Sequence, residues 1–513
     1  MVQIPEIIAE VQSLGIRLPP GGVQRKGGAG PAESGSLLID GYPVSVPFSS
    51  PFVSQSPYRL HPEAGGFVLC KGHHALLPAS LVPRPAFYEE STRDGIPLSK
   101  IALLHGKDCL ASSVLQTCIH WDPRTRCRFC GIQLSLKDRQ TVSLKSPAQL
   151  AETAQKARTL DAVRHVVLTT GTARPPGHET TLLCEAAAAV KQASGLPVHA
   201  QFLPPADMNQ LEALKASGVD TVGIHIESLD PDVLQKMAPV KAAIGLDRYE
   251  TAWKAAVEVF GPNQVSSFLI AGLGEAPNSI IQGSQSLADT GVYPFVVPLR
   301  PIPGSLMADH LPPHPDTMKA IYEKVARILA QKGLAASHSR AGCVRCGACS
   351  ALSAYENPMD SLVCHPARTT AELAAALAIR ESVFVREQQL FEGSDQDPRD
   401  GDSIHLVVKQ HHRVIGTVRV YPAGNGNGHW IGGRLAVQKG FRSSGAGELL
   451  VKNAVTCVRK RGCTYFTAQI QEKNIPFFQY LGWQGIGPVK PHCGKPHQEM
   501  AADLARGGIE DKG

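Results

Sequence analysis

No apolar run in the sequence has the length that crosses a bilayer, and the first residues, MVQIPEIIAEVQSLGIRL, lack the basic and apolar regions of a secretory leader. Both absences predict a cytoplasmic protein with no membrane partner. Charge of one sign is also scarce. The 51 basic and 45 acidic side chains leave +6 on 513 residues, too mild an excess to argue for a nucleic-acid partner. Residues 1–97 carry scattered charges where an RNA-binding arm is dense in Lys and Arg. A disulfide framework is missing too. The 13 cysteines are odd in number and clustered, the pattern of metal ligands plus buried thiols.

A chain of this length exceeds what one hydrophobic core serves, so two or more domains are expected. Residues 1–97, rich in Gly, Pro and Ser, read as an irregular or β-rich extension. Over 98–310, short apolar runs (HVVLTTGT, VHAQFLPP, TVGIHIES, FLIAGLGE, YPFVVPLR) alternate with stretches of helical periodicity that end in glycine. That alternation predicts an α/β fold with a parallel sheet wrapped by helices. Residues 311–368 read as a connector with a cysteine cluster. At 369 a helix, three strands, a glycine turn, a helix, a strand and a short helix begin a separate domain, 369–513.

Within CIHWDPRTRCRFC, Cys118, Cys127 and Cys130 are three thiols in one loop, with Phe129 directly before the last. Three thiolates can hold three irons of a 4Fe–4S cluster and leave the fourth open. A zinc knuckle completed by His120 is the alternative. The C-x8-C-x2-C spacing resembles the cluster loop of radical S-adenosylmethionine (SAM) enzymes, with a first interval five residues longer than the usual C-x3-C-x2-C. Further residues follow in the order that family has. Thr170, Gly171 and Thr172 stand where its small motif meets the SAM amino group, Glu227 where a polar contact to SAM is common, and Gly272, Gly274 and Glu275 where the adenine is supported. The resemblance implies a partial (β/α)6 TIM-like barrel. It also implies SAM on the open iron, cleaved by one electron to a 5′-deoxyadenosyl radical, and a reductant such as flavodoxin or ferredoxin. LSKIALLHG is the candidate for the first strand.

Cys343, Cys346 and Cys349 in CVRCGACS, with Cys364 fifteen residues on, form a second candidate ligand set, for an auxiliary 4Fe–4S cluster or for zinc. Cys70, Cys109, Cys184, Cys457, Cys463 and Cys493 have no paired spacing and read as core or surface thiols.

In the last domain, QKGFRSSGAGELL matches R-x-x-G-x-G through Arg442, Gly445 and Gly447. Glycines there let the backbone approach a pyrophosphate, and the N–H groups opening the next helix provide an anion site. The segment resembles the GCN5-related N-acetyltransferase (GNAT) family, an α+β fold, from about Thr369 to Leu504. The resemblance implies acetyl-CoA along Leu435, Ala436 and Val437. Its pyrophosphate would lie over Arg442, Ser443, Ser444, Gly445, Ala446 and Gly447, with a further contact from Asn474. The family's tyrosine acid falls on Phe478, with Tyr480 nearby on another helix face. Glu387 and His405 are the candidate bases.

A radical SAM barrel followed by a GNAT domain resembles families of bacterial nitrilase-type nitrogen-starvation gene clusters and, in architecture, the Elongator catalytic subunit. The favoured reading is a bifunctional enzyme acting on a small nitrogen-containing metabolite. The alternatives are tRNA wobble-uridine modification, and a GNAT half that only binds CoA.

Overall fold

A computed structural model of the chain describes residues 4–18, 34–39, 41–48, 50–63, 66–356, 362–410, 413–424, 427–442 and 445–504. They divide into two compact units, Met1–Pro358 and Met359–Gly513. The first unit starts with the helix Ile4–Leu14, followed by strands β1 (Ser34–Ile39), β2 (Tyr42–Pro47), β3 (Tyr58–Glu63), β4 (Gly66–Lys71) and β5 (His74–Leu81), which form one antiparallel sheet in the order β2-β1-β5-β4-β3. Of the two readings given to residues 1–97, the β-rich one describes these strands.

Seven strands follow: β6 (Leu103–His105), β7 (Cys109–Ser113), β8 (His165–Thr169), β9 (Val198–Phe202), β10 (Val219–Ile224), β11 (Val265–Ala271) and β12 (Tyr293–Pro298). They line up in chain order as a curled sheet, parallel from β7 to β12, with β6 antiparallel at the edge. This is the half-barrel the sequence predicts. The first parallel strand is CLASS, however, and the LLH of LSKIALLHG supplies only the antiparallel edge. Small residues hide CLASS from a hydrophobicity reading, and they leave room inside the barrel.

Local signals set the helices between these strands. Ser146 and Gln149 form a capping box at the start of Pro147–Asp161, and Gly195 ends His178–Ser194 in a left-handed conformation. The N-terminal helix belongs to the same core, since Ile7, Ile8 and Val11 are buried with barrel residues. Glu10 accepts from Lys319 Nζ at 2.6 Å and Lys71 Nζ at 2.6 Å, tying that helix to the helix Pro315–Lys332 and to β4. These cations hold the Glu10 carboxyl down at about 2 even though burial works to raise it.

The second unit is a sheet of β13 (Leu362–Pro366), β14 (Ile404–Gln410), β15 (Arg413–Pro422), β16 (His429–Val437), β17 (Tyr465–Gln471), β18 (Trp483–His492) and β19 (Lys495–Ala502), in the order β13-β14-β15-β16-β17-β19-β18. Residues 311–368, read as a connector, therefore divide: Pro315–Glu356 packs within the first unit, and β13 pairs with β14 in the second. The helix Thr370–Arg380 passes directly into a π-helical turn, Glu381–Glu387, where the sequence reads as one continuous helix.

Among the described residues of the second unit only β16 and β17 run parallel. Among the described residues their pairing runs from His429–Tyr465 to Gly432–Ala468. Beyond it β16 carries a bulge at Arg434, whose φ is +55°. Arg434 is held there by the Asp395 carbonyl at 3.0 and 3.1 Å and by the Phe391 ring at 4.3 Å. The fully buried Arg380 joins Asp395 and Asp400, and Arg419 joins Asp397 and Asp400. Each buried guanidinium is thus paired, as desolvation demands.

Candidate active site

The loop after β7 carries Cys118, Cys127 and Cys130 to the carboxyl ends of the parallel strands. There they line a cavity of about 220 Å³ with Thr170, Gly171, Thr172 and Glu227. Gly171 lies hard against the cysteine loop. A Cβ there would come within 2.0 Å of the Thr117 carbonyl, and the backbone bonds Gly171 N to Leu115 O at 2.9 Å and Ile119 N to Thr172 O at 3.1 Å knit the two segments. Phe129 also lines this wall. Burial pushes the Cys127 thiol up to about 11 and Cys130 to about 12, so ligation there has to displace a proton.

Glu227 extends β10 through a bridge to Leu269 and sits at φ +76°. Its Oε1 accepts from Lys241 Nζ at 2.6 Å, while its buried Oε2 has no hydrogen-bond partner. Lys241 also donates to the His225 carbonyl at 2.6 Å. Burial acts to lower the pKa of this lysine, but the Glu227 carboxylate wins and raises it. Lys241 was not legible beforehand, because a lone lysine in a short helix carries no spacing signal.

The extra residues of the cysteine loop join the same cavity. His120, Trp121 and Arg126 line it, Arg126 lies over the Trp121 ring at 4.7 Å, and burial lowers the His120 imidazole. A second cavity, about 340 Å³, runs down the barrel lumen and shares Phe129, Cys130, Gln201 and Glu227 with the first. Its wall combines Phe268, Ile270 and Val297 with Gln201, His225 and Arg300. Gly272, Gly274 and Glu275 line neither cavity, and burial raises the Glu275 carboxyl.

The second cysteine set divides. Cys343, Cys346 and Cys349 line the lumen. Cys364, expected as their fourth partner, belongs to β13 of the second unit, packed against its apolar core and raised to about 12 by burial with Cys457 beside it. Among the described residues no group of three or more His, Cys, Asp or Glu side chains is set to hold a single metal ion. A zinc ion needs such convergence, with Zn–S bonds of about 2.3 Å. A cuboidal cluster seats its thiolates farther apart.

In the second unit a cavity of about 360 Å³ opens where β16 and β17 part, lined by Leu435, Asn474, Phe478 and Glu499 among others. Gly445, at φ +83°, turns the chain into the helix Ala446–Arg459 and brings no capping side chain. Ser443 and Ser444 lie outside the described residues. Ala436 and Ala446 are buried, and the Arg442 Nε donates to the Val437 carbonyl at 3.2 Å, so the bulged strand and the glycine turn meet. These features fit a CoA pyrophosphate: a guanidinium, a left-handed glycine and a helix start.

The three catalytic candidates do not line this cavity. Glu387 forms a bidentate pair with Arg442 at 2.7 and 2.6 Å, and that hydrogen bonding lowers its carboxyl. His405 is buried in β14 with Nε2 at 3.2 Å from the Asp400 carbonyl, and desolvation lowers its imidazole. Tyr480 is 77 % exposed. Phe478, at the family's tyrosine position, packs edge-on to Trp483 at 5.3 Å. The titratable groups that do line the cavity include His429 at the start of β16, and His492, His497 and Glu499 on β18 and β19, two strands the motif reading did not reach.

Residues 124–282 match the model of the Radical SAM superfamily, and residues 373–483 match that of the Acetyltransferase (GNAT) family. The chain therefore carries a radical SAM domain followed by a GNAT acetyltransferase domain, and it is an enzyme. Bacteriochlorophyllide c C-7(1)-hydroxylase of Chlorobaculum limnaeum is 34% identical over 133 residues, 26% of this chain and 33% of the hydroxylase, so the chain spans about a third of that relative. The uncharacterized N-acetyltransferase YjcF of Bacillus subtilis (strain 168) is 28% identical over 138 residues, 27% of this chain and 96% of its own length. Among solved structures, Escherichia coli ElaA aligns at 23% identity over 28% of this chain and 98% of its own, with a TM-score of 0.26. Among the described residues no helix is long and apolar enough to cross a membrane.

Proposed function

We propose that the chain is a bifunctional enzyme. Its barrel cleaves SAM reductively to act on a small nitrogen-containing metabolite, and its C-terminal domain transfers acetyl from acetyl-CoA to an amine. The observation that carries the barrel half is the meeting of Cys118, Cys127, Cys130, the Thr170–Thr172 turn and Glu227 around one cavity. SAM held at a 4Fe–4S cluster supplies, on one-electron reduction, a 5′-deoxyadenosyl radical that takes hydrogen from a substrate.

The protein's own part is to hold, orient and dry that site. Cys118, Cys127 and Cys130 would ligate the cluster, and the free Glu227 Oε2 would accept from a donor on SAM, with Lys241 fixing the carboxylate. Phe268, Ile270 and Val297 give the lumen an apolar wall that keeps water from a reactive centre, while Gln201, His225 and Arg300 offer polar groups to orient a substrate. A lumen of about 340 Å³ has the size of a metabolite site. Electrons would come from a flavodoxin- or ferredoxin-class reductant, with dithionite as its stand-in. The test is anaerobic incubation of the reconstituted protein with SAM and dithionite. Formation of 5′-deoxyadenosine and methionine is expected, and their absence from protein that holds its cluster overturns the proposal.

A second reading, in which the GNAT half binds CoA without transferring acetyl, is favoured by Phe478 in place of the tyrosine acid and by the engagement of Glu387 with Arg442. Acetyl-CoA turnover against mixed primary amines separates the two. Sustained CoA release that depends on the amine supports transfer, and binding without turnover supports the second reading.

A further inference from the structure

The barrel lumen has a floor as well as a mouth. After the helix Pro315–Lys332 the chain passes beneath the amino ends of the parallel strands, where Gly342 N donates to His165 Nδ1 at 3.2 Å, His165 being the first residue of β8. From this floor segment Cys343 reaches up to Gln201, whose Nε2 donates to its Sγ at 3.3 Å. The N-terminal sheet and helix brace the loop from below. Ser45 N donates to the Ala348 carbonyl at 2.7 Å and Gln12 Nε2 to the same carbonyl at 3.0 Å, while Arg300 binds the Ser45 carbonyl at 2.6 Å.

A fourth thiol faces this set. Cys109, the first residue of β7, lines the lumen with Cys343, Cys346 and Cys349 and is 1 % exposed. Cys346 packs against the small buried cluster that Cys109 forms with Ala111 and Val167. The turn before β7 is equally close, for a Cβ on Gly106 would come within 2.7 Å of Cys346 Sγ. A C-x2-C-x2-C run supplies three ligands and leaves a cuboidal cluster's fourth to come from elsewhere in the chain.

We infer that Cys109 is that fourth ligand, so that Cys109, Cys343, Cys346 and Cys349 form an all-cysteine 4Fe–4S site at the floor of the barrel. The inference rests on reading Cys343, Cys346 and Cys349 as cluster ligands. It corrects the reading of Cys109 as an ordinary buried thiol and of Cys364 as a ligand. With four thiolates the floor site has no open iron, so a substrate in the lumen meets an open coordination position only at the mouth. The two sites stand at opposite ends of β7, and Cys109 and Ser113 are about 13 Å apart at the rise of an extended strand.

The test uses the full chain, reconstituted anaerobically, with iron and zinc analysis and Mössbauer and EPR spectra of the reduced protein. The expected results are about eight irons in the wild type and in Cys364→Ala. In Cys109→Ala the floor signal should be lost or converted to that of a three-iron cluster, with the mouth cluster's signal kept. Retention of the mouth signal shows that the variant is folded. Unchanged iron and spectra in Cys109→Ala, or loss in Cys364→Ala, overturn the ligand assignment. About four irons in both the wild type and a Cys343→Ala, Cys346→Ala double variant, or zinc in place of the second four, overturn the underlying reading instead.

Discussion

In the barrel, residues from three separate stretches of chain, Cys118–Cys130, Thr170–Thr172 and Glu227, line one cavity. In the C-terminal domain Leu435 and Asn474 line the cleft, while Glu387, His405 and Tyr480 do not. The contrast has a geometric origin. A parallel barrel delivers the carboxyl end of every strand to the same mouth, so a motif at a strand end reaches the site by topology alone. In the GNAT sheet a catalytic group must be on the right face of the right strand, and which face that is depends on register and on partners such as Arg442.

Five variants sharpen this comparison. Cys127→Ala should abolish 5′-deoxyadenosine formation while leaving acetyl-CoA binding intact, checked by product analysis and calorimetry. Residual SAM cleavage would break the assignment of the mouth. Lys241→Ala leaves the Glu227 carboxylate buried and unpaired and should cost about 3–5 kcal/mol in denaturant unfolding of the first unit. A loss near zero would mean that the pair is solvated. Arg442→Glu should weaken acetyl-CoA roughly tenfold or more, since it sets a carboxylate where a pyrophosphate is expected. Calorimetric affinity equal to wild type would contradict the turn. Glu387→Gln breaks an ion pair that is about two-fifths exposed and should change stability by under about 1 kcal/mol, a small counterpart to Lys241→Ala readable by thermal denaturation. Tyr480→Phe should change neither CoA affinity nor any acetyl transfer, and a loss of transfer would return Tyr480 to the site.

Much of the fold was legible because its signals are local. Five of the six parallel strands read as apolar runs between helices with glycine ends, and the glycine turn of the GNAT domain stands between a strand and a helix as expected. CLASS escaped because it is built of small residues, and the hairpin β18–β19 because PVKPHCGKPHQE carries polar residues and prolines and β18 is largely exposed. Within the sites, the cysteine loop and the Thr-Gly-Thr turn were legible by spacing and order. Lys241, Arg300 and Cys109 were not, for each gains its meaning from a neighbour far along the chain.

The sequence by itself determined the two domain types, the three-cysteine loop and the glycine turn, since each is written in residues a few positions apart whose chemistry needs that spacing. Tertiary structure alone decided which thiols share a lumen. Parallel pairing starts β7 at Cys109 and β8 at His165, and the floor segment returns there some 180 residues after His165, bringing Cys346 against Cys109 and leaving Cys364 to the core of the other unit. No spacing rule reaches across that distance, because contact there is set by sheet register and packing rather than by the chain.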